Sequence, residues 1–455
     1  MNKVQQAALA LTLSVGLATM ADRAAAFCGF YVATSDAPLF NNASRVVLAR
    51  KGNLTTLTMA NDYKGEPKQF AIVVPVPTVI KKEQIRVSDN AIIDQIDGFT
   101  KPRMAEYYDP DPCPDPAPRT TMTIPRPTSK YPSKMTVTDS APTPKDYGVT
   151  IEASYDVGEY DILILSAEQS DGLTRWLTDN GYNLPKGASD VLGSYIKQNM
   201  KFFVAKVDLA ALNQVPHTGN QAPFLRPLQV EYESPKFMLP IRLGMVNAQG
   251  PQDLVIYALT ETGRVETTNY RTTKIPTDQD VPEYVASEFA PFYKAMFEKQ
   301  VAKQGMETVW LEYAWPLSIQ CDPCTGIYMS GDALTKMGAV WASEYHGGVT
   351  GGFVTRLHVR YDMAHFPEDL TFQETADAST FQGRYVIHHA FEGGVECPAG
   401  QKYVKDLYAR EEQEITNVAT LTGWSEDVIR KRVPGHGVHP AAPVPSHDAS
   451  WWEQQ

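Results

Sequence analysis

Cys321-Asp322-Pro323-Cys324 is the stretch of this chain best suited to chemistry. Two thiols three residues apart can close a tight disulfide, act as a redox couple, or hold a metal together, and the proline between them constrains the loop. A haem attachment needs a histidine directly after the second cysteine, and Thr325 stands there. A zinc site needs further ligands; Cys397 and His346 are the candidates, and no second close pair exists. We therefore expect a structural bridge first, a redox-active pair second, and assign no metal. Cys28, Cys113 and Cys397 bring the count to five, an odd number that cannot pair completely within one molecule. The pairing stays open: two of these three could join, or one of the close pair could reach Cys28.

Tyr345-His346-Gly347-Gly348-Val349-Thr350-Gly351-Gly352 is a second candidate. His346, Gly347, Gly348, Gly351 and Gly352 could let a backbone approach a ligand closely. A His-Gly-Gly run also occurs in oxyanion-hole loops, but the hydrolase reading needs a Gly-x-Ser-x-Gly elbow, which the chain lacks. A surface loop is the plainer expectation. His358, His365, His388 and His389 show no ligand spacing and read as ordinary hydrogen-bonded histidines. Glu307, Glu312 and Asp362 receive no role. Phosphate-cradling glycine signatures are absent, and no catalytic residue or cofactor is assigned.

The compartment weighs on these thiols. Lys3, an uncharged stretch from Ala7 to Ala21, and small residues at Ala24 and Ala26 predict a signal peptide over residues 1–26, cut after Ala26. The stretch holds 15 residues, short of the roughly 20 of a spanning helix. Phe27 before Cys28 argues against lipidation. A periplasmic or secreted protein results, in which cysteines are read first as disulfides. No later segment reads as a membrane span.

Cleavage would leave 429 residues and a formal charge of −13, since Lys3, Arg23 and Asp22 depart from a chain with 41 basic and 53 acidic residues. Such a surface repels nucleic acid, and no basic block with interleaved aromatics offsets it. The partner expected is a protein or an envelope component of unknown identity.

The elements that must position these residues read as α+β. Residues 27–105 alternate strands with turns and predict an N-terminal β-sandwich. Ten prolines among the 41 residues 106–146 predict a linker or flap. A mixed α+β region is predicted over 147–395: strands at Val149–Tyr155, Tyr160–Leu165 and Lys201–Val207, a helix capped by Ser166, another over Pro282–Lys303, then strands at Thr308–Trp315 and Gly352–Tyr361. Helices follow over 396–433, with Gly423 ending the first, and a disordered tail over 434–455.

Several stretches together resemble the bacterial family catalogued as domain of unknown function 2330. They are Cys28-Gly29-Phe30, Asn61-Asp62-Tyr63 leading to Phe70-Ala71-Ile72-Val73-Val74-Pro75-Val76-Pro77, and Trp176-Leu177 with Asn180-Gly181-Tyr182. Cys321-Asp322-Pro323-Cys324, Arg356-Leu357-His358-Val359-Arg360-Tyr361 and Leu421-Thr422-Gly423-Trp424 extend the likeness. The resemblance implies a secreted or envelope-associated protein and brings no established activity. The sequence reading is thus a non-catalytic binding or envelope-structural role, with a thiol–disulfide oxidoreductase using Cys321 and Cys324 as the alternative.

Overall fold

A computed structural model describes residues 30–33, 40–64, 70–113, 147–212, 225–246, 248, 250–317, 329–345 and 348–433. The fold is α+β. Its centre is a nine-stranded mixed sheet. Along it lie Arg271–Lys274, Thr308–Pro316, Phe353–Tyr361, Gln252–Thr260, Phe40–Lys51, Leu54–Lys64, Leu228–Glu233 and Ile85–Val87, with Phe381–Gln382 beside Thr308–Pro316. A second sheet has five strands in the order Phe30–Ala33, Phe70–Val76, Lys201–Val207, Tyr160–Ala167 and Val149–Val157.

Side chains on a strand alternate faces, so one residue type at every second position assigns each face a partner. Val46 and Leu48, Leu254 and Ile256, and Leu357 and Val359 join Ile72, Val74, Ile162, Ile164, Phe203 and Ala205 in one core between the two sheets. The intervening Ala71, Val73, Phe202 and Val204 pack outward with Leu173, Trp176, Leu177, Leu192 and Tyr195, which belong to helices Ser170–Asp179 and Ala188–Ile196. On the far side of the central sheet, Val47, Val255, Tyr257 and Val354 meet Ile93, Ile96 and Phe99 of helix Asn90–Thr100 and Leu334 of helix Gly331–Lys336. The layers therefore run helix, sheet, sheet, helix.

This arrangement corrects the expected N-terminal sandwich. Residues 27–105 do supply strands to both facing sheets, but neither sheet is completed within them. Phe40–Lys51 pairs in parallel with Gln252–Thr260, and Phe70–Val76 pairs with Lys201–Val207. Non-local pairing has no local signature, so the sandwich looked self-contained in the sequence.

Other boundaries shift for local reasons. Ser166 lies inside the strand Tyr160–Ala167 and donates to Glu152 at 2.5 Å, so the helix starts at Ser170 instead, after Gln169. The helix predicted from Pro282 opens as a 3₁₀ turn, Glu283–Ala286, and becomes α-helical at Phe289–Lys303. Residues 106–108, assigned to the linker, finish the strand Arg103–Tyr108. That strand lies in parallel against Arg384–His389, which also pairs with Gln279–Asp280 to make a small third sheet. Helix Pro398–Thr422 follows and stops at Gly423, whose φ of 79° closes it in the left-handed region. A short helix, Glu426–Arg430, comes next.

The remaining expected linker residues 114–146, the expected tail 434–455 and the expected signal segment 1–26 lie outside the described residues. Among the described residues no helix is long and apolar enough to cross a membrane.

Candidate functional site

Cys28, Cys321, Cys324, His346 and Gly347 lie outside the described residues. Gly348 pairs with Tyr345 in a two-stranded ladder formed by Ser343–Tyr345 and Gly348–Thr350. Gly352 has a φ of 98°, and a Cβ there would stand 3.0 Å from Leu317 and 3.3 Å from both Thr260 O and Trp341 Nε1. That glycine is needed for close packing of its own neighbours. Of the five cysteines, Cys113 and Cys397 are brought together as a disulfide across 284 residues. No group of three or more His, Cys, Asp or Glu residues among those described could hold a metal ion.

The residues given no role in the sequence build the strongest electrostatic feature. Strand Thr308–Pro316 carries a β-bulge between Leu311 and Tyr313 where it pairs with Phe353–Tyr361. The extra residue is Glu312, and the bulge turns it toward Arg356 and His358. Glu312 Oε2 accepts from Arg356 Nε at 2.5 Å, and Oε1 lies 2.7 Å from His358 Nδ1. Tyr293 OH also donates to Glu312. Arg356 Nη1 reaches Asp97 Oδ1 at 2.5 Å, and the same oxygen accepts from Tyr257 OH at 2.6 Å.

Helix Asn90–Thr100 thereby docks on the sheet through carboxylates as well as through Ile93 and Ile96. One turn earlier, Asp94 accepts from Arg45 at 2.6 Å. Arg103 enters from the small sheet; it donates to Phe99 O and sets its guanidinium 5.9 Å from the Tyr313 ring. On the other flank His358 Nε2 stands 3.7 Å from Asp253 Oδ1, and Arg360 clamps Asp253 at 2.8 and 2.6 Å. Phe297 stacks on the His358 ring with centroids 3.8 Å apart.

The environment fixes the charges. Burial would raise the Glu312 carboxyl, but His358 and Arg356 outweigh it and bring it down to about 2. Burial disfavours the His358 imidazolium, yet Glu312 and Asp253 raise its pKa above the ordinary value. Burial likewise opposes the Arg356 charge, and Tyr257, Asp97 and Glu312 hold it. Glu312 and Arg356 are 0% and 1% exposed. A charge balance this complete and this sealed suits a scaffold: each ion satisfies another, and solvent does not reach them.

A more accessible cluster of titratable groups lies elsewhere, at the end of the small parallel sheet beside helix Pro398–Thr422. Tyr107 stacks on His388 and Tyr108 on His389, at centroid distances of 5.6 and 4.5 Å. The two pairs fall on opposite faces because the residues are consecutive. Tyr108 is 74% exposed. His389 Nε2 lies 2.9 Å from Glu106 and Nδ1 3.3 Å from Glu283, while His388 Nε2 lies 3.5 Å from Asp280.

Asp109 then ties the strand to the helix. It accepts from Arg410 at 3.0 and 2.7 Å and from Tyr403 OH at 2.6 Å. Burial would raise Asp109, but those bonds outweigh it and lower the carboxyl below its usual range. One turn along, Glu414 is buried close to Arg410. Burial, helped by the neighbouring Glu411, Asp280 and Asp109 and opposed by Arg410, pushes it up to about 8. The Cys113–Cys397 bridge closes this junction. Its pieces, residues 103–113, 279–283 and 384–414, are far apart in sequence, so only the two cysteines signalled it.

Comparison with curated proteins and with solved structures returned no match. A family model matches residues 22–373, a range that contains Asp97, Tyr257, Glu312, Arg356 and His358. It ends before Cys397 and before Leu421-Thr422-Gly423-Trp424, so the C-terminal part of the resemblance read from the sequence falls outside the match. The chain belongs to the family described as an uncharacterized protein conserved in bacteria, domain of unknown function 2330.

Proposed function

We propose that this protein works outside the cytoplasm, periplasmic or secreted after cleavage behind Ala26, in a non-catalytic binding or envelope-structural role. One observation carries the reading: the two kinds of polar side chain are kept apart. Glu312, Arg356, His358 and Asp97 are buried in mutual ion pairs. Among the groups open to solvent are the stacked Tyr107–His388 and Tyr108–His389 pairs, with carboxylates around them. Exposed aromatic rings beside polar groups are the usual anchors of recognition surfaces. A bridge between Cys113 and Cys397 also suits an oxidising compartment.

The test is capture of a partner by the full chain from its own envelope fraction, alongside hydrolase and disulfide-exchange screens. The reading expects a stable protein or envelope component that is lost with Tyr108→Ala, and no turnover. Turnover abolished by replacing Cys321 and Cys324 with serine would establish the oxidoreductase alternative in its place.

A further inference from the structure

The disulfide at the junction joins two sulfurs in unlike surroundings. Cys397 is the N-cap of the 25-residue helix Pro398–Thr422, and its Sγ accepts the Gly400 N–H at 3.1 Å. First-turn amides have no partner within their helix, and the helix dipole favours negative charge beside them. Gly400 permits the contact, since a Cβ there would lie 2.4 Å from Val395 O. On the other side the Cys113 N–H is taken by Asp111 Oδ1 at 2.7 Å, and among the described residues no N–H meets the Cys113 sulfur. Both cysteines are half-buried, neither being sealed in the core.

We propose that the Cys113–Cys397 bridge is a thiol-exchange site of fixed polarity: an incoming thiolate attacks Cys113 Sγ and Cys397 Sγ leaves. The reactant is a low-molecular-weight thiol or a protein dithiol. In the first step the attacking sulfur bonds to Cys113, the Cys113–Cys397 bond breaks, and its electron pair goes to Cys397. In the second step another thiolate attacks the reactant's sulfur in that mixed disulfide. Cys113 is released and takes a proton from water, so two thiols have been oxidised and the protein bridge reduced.

Exchange is faster when the departing thiol is the more acidic; the Gly400 N–H at the helix N-terminus favours a thiolate at Cys397, and the opposing Pro112 carbonyl stands farther off, at 3.7 Å. The flanking charges do not reverse this bias. Asp111 and Glu396 are exposed to water, and Lys402 on the next turn is paired with Asp406 at 2.6 Å. Opening the bond leaves the junction assembled, because Arg410 and Tyr403 still hold Asp109. This inference does not depend on the identity of any binding partner.

The experiment treats the full chain with reduced glutathione, quenches in acid, alkylates, and locates the adducts by peptide mass, which separates Cys28, Cys321 and Cys324. Glutathione on Cys113 with Cys397 alkylated is the expected result. Glutathione chiefly on Cys397, or on neither, overturns the proposal. In Cys113→Ser, the alkylation rate of Cys397 against pH should show a midpoint at least about one unit below the ~8.5 of a free thiol. A midpoint at or above that value also overturns it.

Discussion

Glu312 faces Arg356 because its strand carries one residue more than its neighbour at that point, leaving Glu312 Oε2 2.5 Å from Arg356 Nε. The bulge is thus the device that places a carboxylate between two cations, Arg356 and His358, inside the molecule. Removing that carboxylate leaves both cations buried beside one another. Glu312→Ala should therefore cost about 3–5 kcal/mol, seen as a lower midpoint in urea unfolding. A midpoint within experimental scatter of the parent would mean that the network is not holding the sheet.

The same pairing gives stability a pH signature. His358 is raised in the fold above its ordinary 6.5, so its contribution is complete below about pH 6.5 and fades as pH rises through the raised value. Glu312 is lowered from 4.5 to about 2, so its contribution is complete above pH 4.5 and fades as pH falls toward 2. Thermal midpoints of the parent and of His358→Gln should converge as pH rises above 6.5. Parallel curves across that range would remove His358 from the account.

Glu414 should behave in the opposite sense to Glu312. Its fold value near 8 means that the native state holds a proton which the unfolded chain releases near 4.5. Stability then falls with rising pH between those limits. Glu414→Gln should abolish that decline and stabilise the protein above pH 8 by something on the order of a few kcal/mol. Denaturant titrations at pH 5 and pH 9 measure the difference directly.

The bridge itself is worth testing for stability. Cys397→Ser removes a cross-link between residues 284 apart, and a loss of about 2–5 kcal/mol is expected. The loss should sit toward the lower end because the Asp109–Arg410 pair remains. Unfolding midpoints under oxidising conditions, with and without the substitution, provide the comparison.

Tyr108→Ala should separate recognition from folding. At 74% exposure the ring contributes little to the core, so stability should change by no more than about 0.5 kcal/mol. Loss of the captured partner with an unchanged melting curve is the expected pairing of results. A large drop in melting temperature would instead assign Tyr108 to the scaffold.

The sequence was most legible where a pattern is local. The strands expected over Thr308–Trp315 and Gly352–Tyr361 are found at Thr308–Pro316 and Phe353–Tyr361, and Gly423 stops its helix by adopting a conformation few other residues tolerate. It was least legible where one residue or a distant partner decides. Nothing around Glu312 marks a bulge, since a strand of Val309, Trp310, Leu311, Tyr313 and Ala314 reads equally well without one. The ladder between Arg103–Tyr108 and Arg384–His389 joins residues 281 positions apart, as Arg103 and Arg384 show. The cysteines carried half of that information: Cys113 and Cys397 were candidates, but five cysteines alone do not choose a pair.

That ladder also sets a timetable. A ribosome delivers Arg103 long before Arg384, so the strand Arg103–Tyr108 waits without its neighbour while nearly three hundred further residues are synthesised. The small sheet cannot form until Arg384–His389 has emerged, nor Cys113 find Cys397 until residue 397 has followed. Closing this junction is therefore among the last steps in the birth of the folded molecule, and a nascent chain stalled before residue 384 would still lack it.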